Sequence, residues 1–457
     1  MKLIISKLER SFSNSPGRIA VIGYTALIIL GTFLLYLPVS TNDHLHFVDA
    51  LFTAASAVCV TGLTIVDTAG TFTLFGKMVI LSLIQVGGIG IMVLSTIFLF
   101  SIGKKVSITG RILLQDTYSL SHGKGTLPLI KDIVLFTVAI ESIGAVILFF
   151  RFHSGQTTGM GIFYSVFHSV SAFCNAGFSL FSNSFTGYTH DWVLNLTISA
   201  LIILGGIGFV VLSEIKNVSF SRRMWSHLSL HTKLVLSSTV LLLFISTAAF
   251  FLLEWQNTLK EMTIPYKLLA SFFQSVNART AGFNTVQIGE LTNETLLLAM
   301  ILMFIGTAPG SCGGGIKITT FSTIIIFGVS RLFGQDSPQI FYRRISDESI
   351  TKAVSLIMVS FFVITIGIIL LQQTEIGEVS HRFSRGAFLE LMFENMSAFG
   401  TVGLSTGITS TLSTAGRLII TMMMFVGRIG PLVIAIAISR HGAAKKYSYA
   451  RDDIMIG

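Results

Sequence analysis

The sequence predicts an all-α membrane protein: eight transmembrane helices that form four helix–pore-loop–helix repeats around a central pore. Three observations support this fold class. The chain is 52% hydrophobic and 12% charged, about half the charged fraction of a soluble domain. Long apolar segments recur along the chain. A short motif that contains glycine occurs four times.

Eight apolar segments predict the membrane spans, because a helix needs about 20 predominantly apolar residues to cross the hydrocarbon core. Seven are continuous, and the sixth in chain order is interrupted. In chain order they are Ile19–Pro38, Met78–Ser101, Ile133–Phe150, Leu194–Leu212, Leu234–Leu253, Leu296–Phe327 (interrupted), Ala353–Leu371 and Leu418–Ser439.

The basic residues predict the orientation of these spans. With both ends inside, the cytoplasmic segments hold 22 of the 31 Lys and Arg residues and the outer segments hold 8. This asymmetry follows the positive-inside rule, so the net charge of +9 reflects topology and does not indicate nucleic-acid binding. The apolar runs of the first 17 residues are too short for a signal-peptide core, and we expect that segment to stay cytoplasmic. The three cysteines predict no disulfide framework.

The repeated motif begins with Phe and places Gly ten residues later. Its four copies are FTAASAVCVTGL, FHSVSAFCNAGF, FFQSVNARTAGF and FENMSAFGTVGL, with glycines at Gly62, Gly177, Gly282 and Gly403. A second motif, QVGGIG, LGGIG, IGTAP or VGRIG, follows each glycine by 24 to 28 residues. Because four matched pairs are improbable by chance, we predict repeats at 18–102, 131–213, 231–332 and 350–440, with cytoplasmic ends at 1–17 and 441–457.

The four loops suit a dehydrated cation. Rings of backbone carbonyls replace the hydration shell of K+ without titratable groups, and glycine permits the backbone conformations that such rings need. The preceding half helices would point their negative ends at the same place. The predicted lining residues are Val60, Thr61, Gly62, Asn175, Ala176, Gly177, Thr280, Ala281, Gly282, Thr401, Val402 and Gly403. The alternative for any single loop is a helix-breaking turn packed against protein.

Acidic residues near these loops are candidates for an outer vestibule that attracts cations. They are Asp49, Asp67, Glu390 and Glu394. Glu141, in the third predicted span, has two interpretations: part of an ion path, or a structural pairing with a neighbour.

The second helix of the third repeat is predicted to break at GTAPGSCGGGIK, because Pro309 removes a backbone donor and the glycines remove side chains. Irregular backbone at this depth requires a cavity or a protein shell, and it would lie where it can block ions. The motif lacks the Gly-Lys-Ser/Thr of a phosphate-binding loop. A kinked helix that does not move is the alternative. The predicted gate residues are Gly306, Pro309, Gly310, Gly313, Gly314, Gly315, Lys317 and Arg428.

The four loops, the run ARTAGF (Ala278–Phe283) and the broken helix resemble the Trk/Ktr/HKT superfamily of potassium transporters. The resemblance extends from Arg18 to Arg440 and is strongest to KtrB-type membrane subunits of bacterial Ktr systems, since no extra helix pair precedes the first repeat. It implies a filter glycine in each repeat, with four glycines favouring K+, and an intramembrane gating loop approached by Arg428. The third residue before each glycine differs (Cys59, Cys174, Arg279, Gly400), so four unequal filter walls are expected.

The function predicted from these observations is K+ uptake through the ion-translocating subunit, with Na+ as a candidate coupling ion. No enzyme motif appears, so no organic cofactor and no catalysis are expected. The alternative is the K+-binding subunit of an ATP-driven pump. The resemblance further implies a KtrA-like cytosolic ring of nucleotide-binding regulatory subunits, a homodimer and a multi-pass location in the bacterial plasma membrane.

Overall fold

The computed structural model describes residues 16–90, 126–153, 157–218, 224–335, 337–380 and 382–430. The predicted cytoplasmic ends, apart from residues 16 and 17, and the loop around Lys104 to Lys124 lie outside these ranges. The described chain is helical and contains four similar units. We name the parts of each unit the first helix, the half helix, the glycine strand (the three residues that end at the motif glycine) and the second helix.

The helix bounds of the four units follow one order: first helix, half helix, second helix. They are Pro16–Tyr36, Phe47–Val58 and Leu74–Ile89 in unit 1, and Thr126–Phe152, Thr158–Phe173 and Trp192–Ile207 in unit 2. In unit 3 they are Leu230–Leu253, Ile264–Asn277 and Asn293–Phe304, and in unit 4 Asp347–Glu375, Ala387–Gly400 and Thr414–Ile429.

Shorter elements connect these helices. The helical ones are Thr68–Thr71, Phe209–Val218, Met224–His227, Ile318–Leu332 and the 3-10 turns Thr186–Tyr188, Ile288–Glu290 and Ile408–Thr411. A two-stranded antiparallel hairpin, Gln339–Ile340 with Arg343–Arg344, precedes unit 4. Its two turn residues, Phe341 and Tyr342, both have positive φ, as a two-residue hairpin turn requires.

The units close into a ring through their second helices. The second helix of unit 1 packs on the half helix of unit 2, and the same relation joins unit 2 to 3, unit 3 to 4 and unit 4 back to unit 1. The residue after each motif glycine (Leu63, Phe178, Phe283, Leu404) is buried. The core therefore lies around the half helices, and large apolar side chains such as Phe150, Phe244 and Phe361 are exposed on the outside.

The second helices are shorter than the sequence predicts. Among the described residues, three helices are long and apolar enough to cross a bilayer alone: Ile130–Phe152, Leu230–Leu253 and Asp347–Glu375. The predicted continuous span Leu194–Leu212 is wrong, because Trp192–Ile207 and Phe209–Val218 meet at an angle of 94°. Leu74–Ile89 and Thr414–Ile429 end at Gly90 and Gly430 with φ of 91° and 92°, and the predicted remainders of these spans lie outside the described residues.

Each second helix is fixed at its start by the end of its own first helix. Thr73 N donates to the Ser40 carbonyl (3.0 Å) in unit 1, and Arg151 pairs with Asp191 in unit 2. In unit 3 Glu254 accepts from Thr292 N at 2.9 Å. In unit 4 Glu375 accepts from the Ser413 backbone and side chain. These clamps differ in chemistry, but each joins the N-cap residue of a second helix to the end of its unit's first helix or, in unit 1, to the turn that follows it.

Candidate functional site

The four glycine strands share an unusual backbone. The residue two positions before each motif glycine is left-handed: φ is 56° at Val60, 60° at Asn175, 68° at Thr280 and 50° at Thr401. Only a few per cent of non-glycine residues adopt this region. Its recurrence at one position of all four repeats indicates a shared structural requirement.

The motif glycines are also left-handed, with φ of 93°, 70°, 76° and 91° for Gly62, Gly177, Gly282 and Gly403. The residue between each left-handed pair has negative φ. An alternation of this kind can turn successive carbonyls of one strand to the same side, as a carbonyl-lined ion site requires.

The four glycines form a closed ring. A methyl group built on Gly62 would lie 2.9 Å from the Gly177 Cα, one on Gly177 3.0 Å from the Gly282 Cα, and one on Gly282 3.2 Å from the Gly403 Cα. The ring closes because a methyl group on Gly403 would lie 3.0 Å from the Gly62 Cα. No other residue type fits at these positions without displacing backbone.

The same constructed methyl groups identify four carbonyl oxygens within the ring. They collide with Ala176 O, Ala281 O and Val402 O at 2.5, 2.9 and 2.6 Å, and with Thr61 O. These carbonyls belong to the residues directly before the four glycines. The ring therefore brings together eight of the twelve predicted lining residues, namely the four glycines and the residue before each of them.

Polar side chains of the half helices hold the strands in this shape. Gly62 N donates to Ser56 Oγ and Gly403 N to Ser397 Oγ, both at 3.0 Å. Ser171 Oγ donates to the Phe178 carbonyl at 2.8 Å. These serines are not among the predicted site residues, although Ser recurs as the fifth residue of three motif copies.

Unit 3 departs from this scheme. Val276 occupies the place of the serine, and Asn277 Oδ1 instead accepts from Phe283 N at 3.1 Å. Arg279 follows the half helix, is 7% exposed and has no partner for Nε among the described residues. It lines a small cavity with Thr307 and Asn175. The expectation of unequal walls therefore has a structural counterpart in unit 3.

The segment Gly306–Lys317 forms a closed loop between the second helix of unit 3 and the helix Ile318–Leu332. Gly306 N donates to Ile316 O at 2.8 Å, and Ile318 N donates to Thr307 O at 3.1 Å. A methyl group on Gly306 would collide with the Gly314 carbonyl oxygen. Gly310 and Gly315 have φ of 66° and 67°. The predicted break is thus present, with its two ends joined.

Unit 2 holds one side of this loop. Ala308 N donates to Gly206 O at 3.0 Å and Cys312 N to Gly205 O at 3.1 Å. Phe209 N, just after the 94° bend, donates to Gly310 O at 3.0 Å. Pro309 lies close by, since a methyl group on Gly208 would come 2.8 Å from its carbonyl oxygen.

Two cations hold the other side. The Arg428 guanidinium donates to the carbonyls of Cys312 and Gly87, so it joins the loop to units 1 and 4. Lys317 Nζ donates to Gly313 O at 2.7 Å. The Lys317 side chain therefore bonds back to its own loop, while Lys317 is also the N-cap residue of the helix Ile318–Leu332.

The loop contacts the glycine strands directly. Gly314 N donates to Thr401 Oγ1 at 3.1 Å. Methyl groups on Gly313 and Gly314 would collide with the hydroxyls of Thr280 and Thr401. The loop thus lies against the ring on the side of the residues that precede the glycines.

Most of the acidic candidates are engaged by the protein. Asp49 pairs with Arg417 at 2.7 Å, and the buried Glu394 accepts from Ser405 Oγ and Thr409 Oγ1. Asp67 caps the helix Thr68–Thr71 and accepts from Ser182 Oγ at 2.8 Å, but stays exposed.

Two further acidic residues complete the set. Glu390 is half-buried. Glu141 accepts from Gln85 Nε2 at 3.1 Å, which favours the structural interpretation of this carboxylate. Asp67 is therefore the one exposed member of the predicted vestibule.

Comparisons with known proteins show what the chain is similar to. The chain is 42% identical to Ktr system potassium uptake protein B of Bacillus subtilis, with 96% of each chain covered. It is 38% identical to the Vibrio alginolyticus protein of the same name, over 99% of this chain and 97% of that one. Potassium/sodium uptake protein NtpJ of Enterococcus hirae is 37% identical, with 97% of each chain covered.

The fold matches a solved structure. The crystal structure of the potassium transporter TrkH from Vibrio parahaemolyticus superposes with a TM-score of 0.72 at 17% identity, covering 92% of this chain and 83% of that chain. The family model of the TrkH cation transport proteins matches residues 13–447. With nearly the whole chain matched, the protein belongs to the TrkH family of cation transport proteins.

Proposed function

We propose that this chain is the ion-translocating membrane subunit of a bacterial K+ uptake system and that the glycine ring is its selectivity filter. The observation that carries the proposal is the closed ring of four left-handed glycines, each beside a carbonyl of the next unit. The relatives named above are potassium uptake proteins. Like them, this chain is a transporter subunit and not an enzyme.

Selection follows from the chemistry of the ring. Backbone carbonyls replace the water oxygens of K+. The half helices end at Val58, Phe173, Asn277 and Gly400, directly before the strands, so their negative dipole ends favour a cation there. The proposed ligands are the carbonyls of the twelve lining residues. Since one relative is named a potassium/sodium protein, Na+ is the candidate coupling ion.

The loop Gly306–Lys317 is the proposed gate. It lies against the filter strands and is held by hydrogen bonds to units 2 and 4. A loop in this place blocks the ion path while these bonds hold, and ions pass when the loop moves aside. The gate residues are Gly306, Pro309, Gly310, Gly313, Gly314, Gly315, Lys317 and Arg428.

The proposed setting is a bacterial plasma membrane that the chain crosses eight times, with both termini cytoplasmic. Inward K+ movement gains about 2.3 kcal/mol per 100 mV of inside-negative potential, which drives uptake without a catalytic site. Two relatives are named as parts of a Ktr system. We therefore propose a KtrA-like cytosolic ring of nucleotide-binding subunits as partner, and a homodimer of the membrane subunit.

The function is tested by growth of a K+-uptake-deficient bacterium on low K+. Expression of this chain with a cytosolic partner subunit should restore growth, whereas an empty vector should not. Absence of rescue by a protein that is inserted in the membrane would contradict the proposal.

A further inference from the structure

One hydrogen bond joins the gate loop to the filter. Gly314 N donates to the hydroxyl of Thr401 at 3.1 Å, and both groups are buried. Thr401 is the left-handed residue of the unit 4 strand, with φ of 50°. The hydroxyl therefore belongs to the filter, and the amide that it accepts belongs to the gate.

The fit around this bond is tight. A methyl group on Gly314 would collide with Thr401 Oγ1, and one on Gly313 would collide with the hydroxyls of Thr280 and Thr307. Two glycines of the loop thus lie flat against two threonines of the filter. The short distance between the two backbones is what permits the hydrogen bond.

Thr280 occupies the same motif position in unit 3 but has a different partner. Its hydroxyl lies 3.3 Å from the side-chain amide of Asn175, in unit 2. Although Gly313 touches Thr280, no hydrogen bond from the loop to Thr280 accompanies that contact among the described residues. Gly313 therefore packs against Thr280 without a hydrogen bond, whereas Gly314 packs against Thr401 and also donates to its hydroxyl.

We propose that the Thr401 hydroxyl is a latch that holds the gate loop closed against the filter. The inference rests on the proposed gate and names the filter residue that stabilises its closed position. Without the hydroxyl, the Gly314 N–H stays buried and unpaired when the loop is closed, whereas water reaches it when the loop moves aside. An unpaired buried donor is costly, so its loss shifts the loop toward the open position.

The substitution Thr401→Val removes the acceptor and keeps the side-chain shape. Unit 1 already carries a valine at this position: Val60 has φ of 56°, so the strand conformation accepts a β-branched apolar residue. K+ uptake should rise roughly threefold to tenfold, the range expected from one lost hydrogen bond. Thr401→Ser keeps the hydroxyl and should return uptake most of the way to the wild-type rate.

The experiment measures rubidium uptake into vesicles that contain the purified chain, with Na+ as competitor. The matched control is Thr421→Val on the second helix of unit 4, where the hydroxyl donates to the Arg417 carbonyl of its own helix; its uptake should equal that of the wild type. Should Thr401→Val accumulate poorly, Thr401→Ala removes the same acceptor with less volume and replaces it in the test.

Deletion of Ala308–Gly314 in the same assay separates the two proposals. If the deletion raises uptake and Thr401→Val does not, the latch is wrong and the gate stands. If the deletion raises nothing, the gate itself is wrong. A rise in Thr401→Val that keeps the preference for rubidium over Na+ supports the latch, and a rise with lost preference overturns it, because the filter would then be damaged.

Discussion

The glycine ring and the adjoining ends of the second helices are built by the same four units, but they obey different symmetry. In the ring, each unit contributes one left-handed residue and one left-handed glycine at the same spacing. At the helix ends, units 1, 2 and 4 place Gly90, Gly208 and Gly430 with φ between 91° and 98°, while unit 3 inserts a closed loop. Equivalence is kept in the ring, the proposed filter, and is broken in the loop of unit 3, the proposed gate.

Packing next to the half helices follows the same division. Methyl groups on Gly87, Gly205 and Gly427 would collide with the carbonyls of Val58, Phe173 and Phe399, which lie in the last turns of the half helices. Gly306 of unit 3 meets the Gly314 carbonyl of its own loop. At equivalent positions, the glycines of units 1, 2 and 4 pack against a half helix, whereas Gly306 of unit 3 packs against its own loop.

The largest expected effect concerns the glycine ring, the symmetric one of the two regions. Replacing any one of Gly62, Gly177, Gly282 or Gly403 by Ala imposes a left-handed conformation that costs a non-glycine residue about 1–2 kcal/mol and pushes a methyl group into the next strand. We expect loss of K+ preference over Na+ by at least about tenfold, measured as competition with rubidium uptake. The control is Gly328→Ala in the helix Ile318–Leu332. No atom of the described residues lies within 4 Å of a methyl group at this position. Unchanged K+ preference in all four Ala variants would contradict the assignment of the ring as the filter.

The next largest effect concerns the loop of unit 3, the asymmetric region. Deletion of Ala308–Gly314 removes the loop and all its bonds to units 2 and 4, so ion flux should rise by about tenfold or more if the closed state is favoured by about 1.4 kcal/mol. The measurement is rubidium uptake by proteoliposomes with equal protein content. Unchanged or lower flux in a folded deletion variant would contradict the gate.

A smaller rise is expected from Arg428→Gln. The guanidinium donates to carbonyls of the loop and of unit 1, and the amide of Gln cannot reach both. Hydrogen bonds to charged groups contribute roughly 1.5–3 kcal/mol each, part of which also supports the fold, so we expect a rise of severalfold with some loss of thermal stability. Lys317→Met, which loses a single bond to Gly313 O, should give less. The reverse order would show that Lys317 is the main support of the loop.

The smallest effect concerns the outer clamps, which lie apart from both regions. Glu375→Ala removes the acceptor of the Ser413 backbone and side chain at the start of the last described helix. Helix N-cap losses cost about 0.5–2 kcal/mol, so the melting temperature should fall by a few degrees. K+ preference should be retained, because the carboxylate bonds to the start of a helix and not to the ring or the loop within the described chain. A changed ion preference would mean that the clamps set the filter geometry.

The sequence identified the ring because its constraint is local. Left-handed backbone requires glycine at one position of each repeat, and four copies of the motif therefore located Gly62, Gly177, Gly282 and Gly403 without knowledge of the fold. The break in unit 3 was predictable for the same reason, since Pro309 and consecutive glycines cannot continue a helix.

The bend at Gly208 escaped prediction, although the signal was present. The final glycines of QVGGIG, LGGIG and VGRIG are the left-handed helix ends, but an isolated glycine in an apolar run also suits helix packing. Partners distant in sequence could not be predicted at all: Asp49 pairs with Arg417, and Gly314 finds Thr401. Such pairings depend on how the four units close, which no local pattern records.

The central claim is that four backbone walls bind one K+ between them. The most direct measurement is anomalous scattering from rubidium or thallium in crystals of this protein grown without K+. We predict a peak on the axis of the ring, at similar distances from the carbonyls of Thr61, Ala176, Ala281 and Val402. A structure in which those carbonyls enclose no ion, while the ion binds elsewhere along the path, would contradict this claim.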